Sequence, residues 1–376
     1  MTRKVGVCRT VMLAAIIIIF AGLSAQPSTA SVVAVGTCVA NVVHFATIQG
    51  AVDAVPPGST IKICPANYPE QVVTNKNLTL TGVSSGSADN PVLVIPSGGF
   101  VPNTASLTSG HPIAAQILVK SPATAVTISS LTVDGSNNNL NGGCNDARLI
   151  GIYYQNASGT GNFVAARNQA RDAANFGCQT SAGLGIYLQS VSPSTSTVKL
   201  QNTTVRGYQK NGITGNEVGT TVTITGNSVV GAGPTTTAQN GIQVGFGATG
   251  KVQNNTVADD DFNGDPSAGT GSGILIYDSG NNNTVSGNTV FSSGQAGIHL
   301  DSSCGSTGNN NTVSKNTVNE ACAGILHGGG TGNTFPMATV VANVANTSLA
   351  GDVCAPAVLT LSRVNSQGHS SSPARP

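Results

Sequence analysis

His299 and Asp301 stand two residues apart in the segment "GIHLD", a spacing that puts both side chains on one face of an extended strand. A carboxylate so placed orients an imidazole and raises its pKa, giving a general base near neutral pH, for example toward the C5 proton of a uronic acid. Two polar residues on a solvated face, with no chemistry attached, fit the same spacing. Asp259, Asp261 and Asn263, followed by Gly264, match the DxDxNG opening of an oxygen-ligand calcium loop, so calcium is the one cofactor to expect. The match is partial: Thr270 stands where a bidentate glutamate would complete it, and Asp, Asn and Gly are also ordinary turn formers. Hydrolysis of a glycosidic bond would instead need a second carboxyl group facing Asp301, for which Asp278 and Asp261 are the candidates.

Groups of this kind need a rigid wall, and the chain supplies one by repetition. Gly-Ile recurs at Gly151, Gly185, Gly212, Gly241, Gly273, Gly297 and Gly324, at intervals of 34, 27, 29, 32, 24 and 27 residues. Intervals that wander about the length of one supersecondary unit indicate a solenoid. A second strand with an Asn-Thr/Ser-Val core follows in most units, at Asn227, Asn255, Asn288 and Asn316. Helical periodicity is absent, and a unit of two or three short strands buries an apolar face only when stacked, as in a parallel β-helix. The fold class expected is therefore all-β, a single-stranded parallel β-helix.

Alternation within each Gly-Ile strand sorts the side chains. Ile152/Tyr154, Ile186/Leu188, Ile242/Val244, Ile274/Ile276 and Ile298/Leu300 form an interior stack, and the recurrent asparagines ladder at the turns. The opposite set, Tyr153/Gln155, Tyr187/Gln189, Thr214/Asn216, Gln243/Gly245, Leu275/Tyr277 and His299/Asp301, forms an exposed sheet face. Rings that stack on pyranose faces and amides that bond to hydroxyls suit a polysaccharide, so Tyr153, Gln155, Tyr187, Gln189, Gln243 and Tyr277 are candidate substrate-binding residues. Arg206 is added as a carboxylate binder.

Bulk properties agree. The chain has 376 residues, 8% of them charged, a formal net charge of +1, 47 glycines and no tryptophan. No basic patch offers the counterion-release term that drives nucleic-acid binding, so no nucleic-acid partner is expected. Arg3, Lys4 and Arg9 ahead of the apolar run Val11 to Leu23, then small residues near Ala25 and Ala30, predict an export signal over 1–30 and no membrane span in the mature chain. A solenoid domain over 31–356 and a disordered tail over 357–376, rich in Ser, Gln, Gly and Pro, complete the layout.

Seven cysteines remain after the signal, and an oxidising compartment favours disulfides. Cys144 and Cys178 each lie seven residues before a repeat glycine, so they occupy one position in neighbouring coils and should bond, clamping 162–177 as a loop or short helix. Cys38 with Cys64 is the natural N-terminal pair; spacing does not decide among Cys304, Cys322 and Cys354. At the open N-terminal end, Ile48, Ala51, Val52 and Val55 at helical spacing behind a Thr47 N-cap predict a short capping helix, stopped at Pro56.

The stretch 47–83 resembles the opening of the pectin-lyase-like β-helix superfamily, which includes pectin methylesterases and secreted or periplasmic β-helix proteins. The likeness rests on Ile48, Gln49, Ala51, Asp53, Pro57, Gly58, Ile61, Pro65, Tyr68 and Glu70, then Leu78 to Gly82. It implies a right-handed solenoid and extracellular association with polysaccharide. The Asp-rich and Arg-containing catalytic segments of pectin methylesterases and the Asp-Pro-His segment of alginate epimerases are missing, so no named activity carries over. The expectation is a secreted, periplasmic or cell-surface protein that binds a pectin- or uronan-like glycan, with lyase, epimerase or hydrolase chemistry open; the alternative is a non-catalytic adhesive β-helix.

Overall fold

The computed structural model describes residues 29–84, 91–140, 143–171, 178–264, 270–302 and 308–336, with the backbone of 339–340 and 345–349. The expected tail lies outside these residues, as do Cys304, Cys354 and all but the last two residues of the expected export signal.

Stacked coils of three short strands build three sheets of 11, 10 and 11 strands. One coil runs through Ser196–Gln201, Thr204–Arg206 and Asn211–Asn216, and each strand pairs in parallel with its counterparts in the coils before and after. The interior is the predicted stack: Ile186, Leu188, Ile242, Val244, Ile274, Ile276, Ile298 and Leu300 belong to one continuous buried core. Each such side chain contributes roughly 1.5–3 kcal/mol by leaving water, so the stacking of coils supplies what no single coil has. The repeated glycine has its own cause. Gly241 faces inward, where a Cβ would strike Val257 of the second sheet and meet the Gly273 carbonyl at 2.7 Å, so only glycine lets the two walls close.

The corner from first to second sheet is made by one residue in the left-handed region, Asn202 (φ 50°), Gly226 (φ 68°), Asn254 (φ 55°) and Gly287 (φ 68°) in successive coils. The residue after it turns inward and is buried, and from Asn227 onward it is asparagine. Asn227, Asn255 and Asn288 each donate from Nδ2 to the Oδ1 of the next asparagine, ending at Asn316, at 2.9 Å each time. The same Oδ1 atoms also accept the main-chain N–H of the asparagine before, so the ladder satisfies buried backbone that the corner removes from the sheets.

The N-terminal end is closed by the helix Ile48–Ala54, whose Ile48, Ala51 and Val52 are buried. Thr47 accepts the Gly50 N–H, and the Glu70 carboxylate accepts those of Ile48 and Gln49 at 2.8 Å each. Lys76 donates to the Asp53 and Val55 carbonyls at the other end, so both helix termini are capped by side chains from the first coil.

Both expected disulfides are present, Cys38–Cys64 and Cys144–Cys178, with Cα atoms 5.7 and 5.1 Å apart. Cys322 is disulfide-bonded as well. One expectation fails here: the start of 162–177 is not a clamped loop but the regular coil strands Gly159–Asn162 and Ala165–Arg167. Val164 and Ala166 are buried there as Leu131 and Val133 are one coil earlier, which is why the segment keeps the wall's register.

Candidate functional site

Parallel register turns the outward residues of the third sheet into two straight rows. Tyr153, Tyr187, Thr214, Gln243, Leu275 and His299 lie over one another, and beside them Gln155, Gln189, Asn216, Gly245, Tyr277 and Asp301. The expectation that this face is open to solvent is corrected by the structure. Thr104–Ala105 pairs antiparallel with the start of Pro112–Lys120, so the chain doubles back across the N-terminal part of the face. Gln155 donates to the Ala105 carbonyl at 2.7 Å, and the Leu107 N–H donates to Gln189 Oε1 at 3.1 Å. Tyr153 is fully buried, stacks on Tyr187 at 4.9 Å and donates from its hydroxyl to Gln189 Oε1 at 2.6 Å. Burial pushes both phenols well above their ordinary range. Gln155 and Gln189 therefore hold this arm to the wall, Tyr153 supports Gln189, and none of the three faces solvent.

Beyond the arm the face opens into a groove of about 700 Å³. Tyr187, Thr214, Gln243, Leu275 and His299 floor it; Arg148, Lys210 and Asn240 stand where strands enter, and Glu217, Phe246, Tyr277 and Asp301 where they leave. The floor is a fixed amide network. Asn211 donates to Thr214 and to Gln243, Asn240 donates to Asn211 Oδ1, and Gln243 donates to Asn216 Oδ1, all at 2.8–3.2 Å. On the exit edge Glu217 (φ 80°) and Phe246 (φ 53°) are in the left-handed region, which bulky residues seldom occupy, and this conformation sets both on the rim. Phe246 is 45% exposed, and its ring meets Tyr277 edge-on at 5.3 Å.

His299 and Asp301 share the floor's far end, with Nε2 and Oδ2 4.0 Å apart. The carboxylate pulls the imidazole pKa up, as anticipated, but burial of the ring wins and the net shift is downward from 6.5. Leu275 and Leu326 flank His299 in register, which accounts for the desolvation. Burial thus favours the neutral imidazole.

The entry edge is basic in a way the sequence did not reveal. Arg148 donates to the Gln179 carbonyl at 3.4 Å and Lys210 to the Gln179 side-chain oxygen at 2.6 Å, so two cations converge on one residue. Burial, then the neighbouring Arg148 charge, pushes the Lys210 amine down to about 8. Three groove-lining residues also carry a buried polar atom with no hydrogen-bond partner among the described residues: Arg148 Nε, Asn240 Oδ1 and His299 Nδ1. Lys210 directly precedes the Asn211-Gly212-Ile213 that opens its strand, so its register was readable from sequence; its convergence with Arg148 depends on Gln179, which the Cys144–Cys178 bond anchors.

The remaining candidates are elsewhere. Arg206 ends Thr204–Arg206 in the second sheet, exposed, in register with Arg167 and Val230, and does not line the groove. That position follows from its place in the Asn-Thr-Thr-Val-Arg segment, the second-sheet strand of its coil. Asp259, Asp261 and Asn263 lie past the second-sheet strand Thr256–Ala258, outside the groove lining. Phe262 bridges Thr235 in parallel, Asp261 accepts from the Thr235 N–H, and the Asn263 N–H donates to Thr235, so this stretch is paired backbone. Among the described residues no group of three or more His, Cys, Asp or Glu side chains gathers where it could hold a metal ion, and 265–269 of the expected calcium loop lie outside those residues. Asp260 between them points inward instead, accepting from the Tyr208 hydroxyl at 2.5 Å, and burial pushes its carboxyl well above the usual range. Asp278 is buried just after Tyr277, its N–H donating to the Asp301 carbonyl at 2.8 Å. A smaller depression of about 420 Å³ beside Val94 and Asn137 contains Asp134, which is already bonded to Arg167, Ser136 and Asn168. The groove on the third sheet is the candidate site.

Comparison with known proteins agrees with this architecture. Residues 180–339 match the family described as right handed beta helix region. The fold is the expected right-handed parallel β-helix. Among solved structures the chain is similar to a lacto-N-biosidase from Eubacterium ramulus, at 10% identity over 86% of this chain and 68% of that one, with a TM-score of 0.49. It is similar also to DFA-IIIase from Arthrobacter chlorophenolicus A6, at 16% identity over 83% and 82% with a TM-score of 0.44. The periplasmic alginate epimerase AlgG gives 11% identity over 78% and 83% with a TM-score of 0.40. No curated protein matches the sequence. Among the described residues no helix is long and apolar enough to cross a membrane.

Proposed function

We propose that the groove binds an extended stretch of an extracellular polysaccharide of the pectin or uronan type, and that the chain is exported to meet it. The observation that carries this reading is the set of three orphaned polar atoms, on Arg148, Asn240 and His299, spread along one trench. Buried polar atoms are mostly paired, and three unpaired ones on residues that line one groove suit a ligand with several hydrogen-bonding groups along its length. The strands bearing them run from Arg148–Gln155 through Asn240–Gly245 to Ala296–Asp301, a span of six neighbouring strands in one wall, which suits a polymer better than a compact molecule. The aromatic rim at Phe246 and Tyr277 supplies ring faces for pyranose packing.

A second reading adds chemistry at one end of the trench. His299 is biased toward its neutral form, has a free Nδ1 and is rigidly flanked, which is the condition of a base that takes a proton at neutral pH. On a uronate, the imidazole would take the C5 proton; the C–H electron pair becomes the C4–C5 double bond as the C4–O bond breaks, and the departing oxygen takes a proton from water. No step in this scheme uses a metal held by Asp259, Asp261 and Asn263. The non-catalytic alternative keeps the trench as an adhesive surface alone.

The test is calorimetric titration of the full chain with polygalacturonate, alginate and a neutral glucan, alongside assays for unsaturated uronate absorbance and new reducing ends. Binding to a uronan supports the reading, and absorbance lost in His299→Gln supports the chemistry. Absence of binding to every glycan sinks both.

A further inference from the structure

We propose that Arg148 and Lys210, held together on Gln179, form an anchoring subsite for one anionic substituent of the glycan, a carboxylate, at a sugar unit distant from His299. The inference rests on the groove reading above and goes beyond it by assigning a charge and a place. Its basis is a charge imbalance that the fold does not resolve internally. Arg167 pairs with Asp134 and Arg171 with Asp146, whereas Arg148 and Lys210 form no ion pair among the described residues although both are half-buried. Two like charges that meet on one residue and are partly withdrawn from water repel each other, and an anion between them relieves that repulsion. Gln179 cannot neutralise either: its carbonyl and side-chain oxygen offer only dipoles, one to each cation. Arg148 Nε remains buried and unbonded, a planar donor on a groove-lining residue with capacity for a two-point contact to a carboxylate.

The surroundings fix both the sign and the direction. Glu217 and Asp301 stand on the exit edge, so the groove is positive on one flank and negative on the other. An acidic sugar chain is thereby turned with an anionic group toward the strand-entry side. Lys210 leads into Asn211–Asn216, three steps along the sheet from Ala296–Asp301, and Arg148 opens Arg148–Gln155, five steps away, so along the stack the cations are about 14 Å and about 24 Å from the His299 strand at ~4.8 Å per strand. The anion they hold therefore belongs to a different sugar unit from the one beside His299. The Cys144–Cys178 bond fixes the corner, since Cys178 adjoins Gln179 and Cys144 lies four residues before Arg148.

The experiment is a titration of the full chain with polygalacturonate oligomers of increasing length, their carboxyl-reduced neutral counterparts, and sulfated and desulfated chondroitin oligomers. The variants are R148Q, K210Q and the charge-conserving K210R, each checked by thermal unfolding. The expected result is that R148Q and K210Q each weaken binding of long uronate oligomers about tenfold or more, that K210R retains most of it, and that carboxyl reduction removes the difference between wild type and variants. Preference for sulfated over carboxylated oligomers would overturn the carboxylate assignment. Normal uronate affinity in folded R148Q and K210Q, or equal wild-type affinity for acidic and neutral oligomers, would overturn the subsite and leave the groove reading standing. Failure of wild type to bind any oligomer removes the groove reading itself.

Discussion

His299 Nε2 lies 4.0 Å from Asp301 Oδ2 on the same outward face of one strand, and the imidazole is nevertheless less basic than a free histidine. The two influences oppose each other. Burial between Leu275 and Leu326 disfavours the imidazolium and the carboxylate favours it, with burial the larger.

Replacing Asp301 by Asn should lower the His299 pKa further, because only the desolvating influence remains. A titration of the ring followed by NMR reads this directly, and an upward shift would contradict it. The linkage to folding has a definite sign. A histidine depressed in the folded state contributes stability in full above its unfolded value of about 6.5 and loses it as pH falls through the folded value. Chemical denaturation of wild type and His299→Gln between pH 5 and 7 should show a steeper acid loss in the wild type.

Much of the scaffold was legible in sequence because its determinants are local or strictly periodic. The Gly-Ile spacing, the alternation of Ile186 with Tyr187, the Thr47 cap and the matching offsets of Cys144 and Cys178 all report register, and parallel stacking turns register into position. The site was less legible because its determinants are not periodic. The arm over Tyr153 and Gln189 comes from an antiparallel excursion near residue 105, and its bond from Leu107 to Gln189 spans 82 residues. Nothing in the alternation of a strand tells whether distant chain will cover it. Arg148 and Lys210 escaped for a similar reason: they come from different coils and meet on a residue that neither neighbours in sequence.

Lys210 should make stability rise with alkaline pH. Its amine is pushed down to about 8 from 10.5, so between these values the unfolded chain holds a proton that the folded chain has released. Stability then increases with pH across that window, since the unfolded state binds more protons. The increment should be missing in Lys210→Met, as measured by urea unfolding at pH 7.5, 9 and 10. The anionic ligand acts oppositely: it favours the charged amine, so uronate affinity should fall as pH rises through about 8. A flat affinity profile from pH 7 to 9.5 would show that Lys210 is not in contact with the anion.

Asn255 tests the ladder at the first corner. Its Nδ2 donates to the Ile224 carbonyl at 3.0 Å and to Asn288 Oδ1 at 2.9 Å, while its Oδ1 accepts from the N–H and Nδ2 of Asn227. Asn255→Ala removes the partner of the Asn227 N–H and a donor to the Ile224 carbonyl, both buried on the preceding coil, and breaks the side-chain ladder to Asn288, at a cost of about 2–4 kcal/mol. Thr256→Ser, one residue on and exposed, should change stability by less than about 0.5 kcal/mol. Equal effects in denaturant unfolding would show that the ladder is ornamental to the corner.

The two disulfides should separate stability from binding. Cys144–Cys178 closes a loop of 34 residues and Cys38–Cys64 one of 26, so the chain-entropy account gives both a contribution of about 3–4 kcal/mol. Their positions differ. Cys38–Cys64 ties the first coil far from the groove, and Cys144–Cys178 holds the two segments that deliver Arg148 and Gln179. Paired serine substitutions at 38 and 64 should lower the unfolding midpoint and leave uronate affinity within about twofold below that midpoint, since the cationic corner stays in place. Paired substitutions at 144 and 178 should lower the midpoint and weaken uronate binding about as much as R148Q does, while affinity for carboxyl-reduced oligomers holds. A 144/178 variant that is destabilised yet binds uronate normally would show that packing against Arg148 and Lys210 positions Gln179 without the covalent bond.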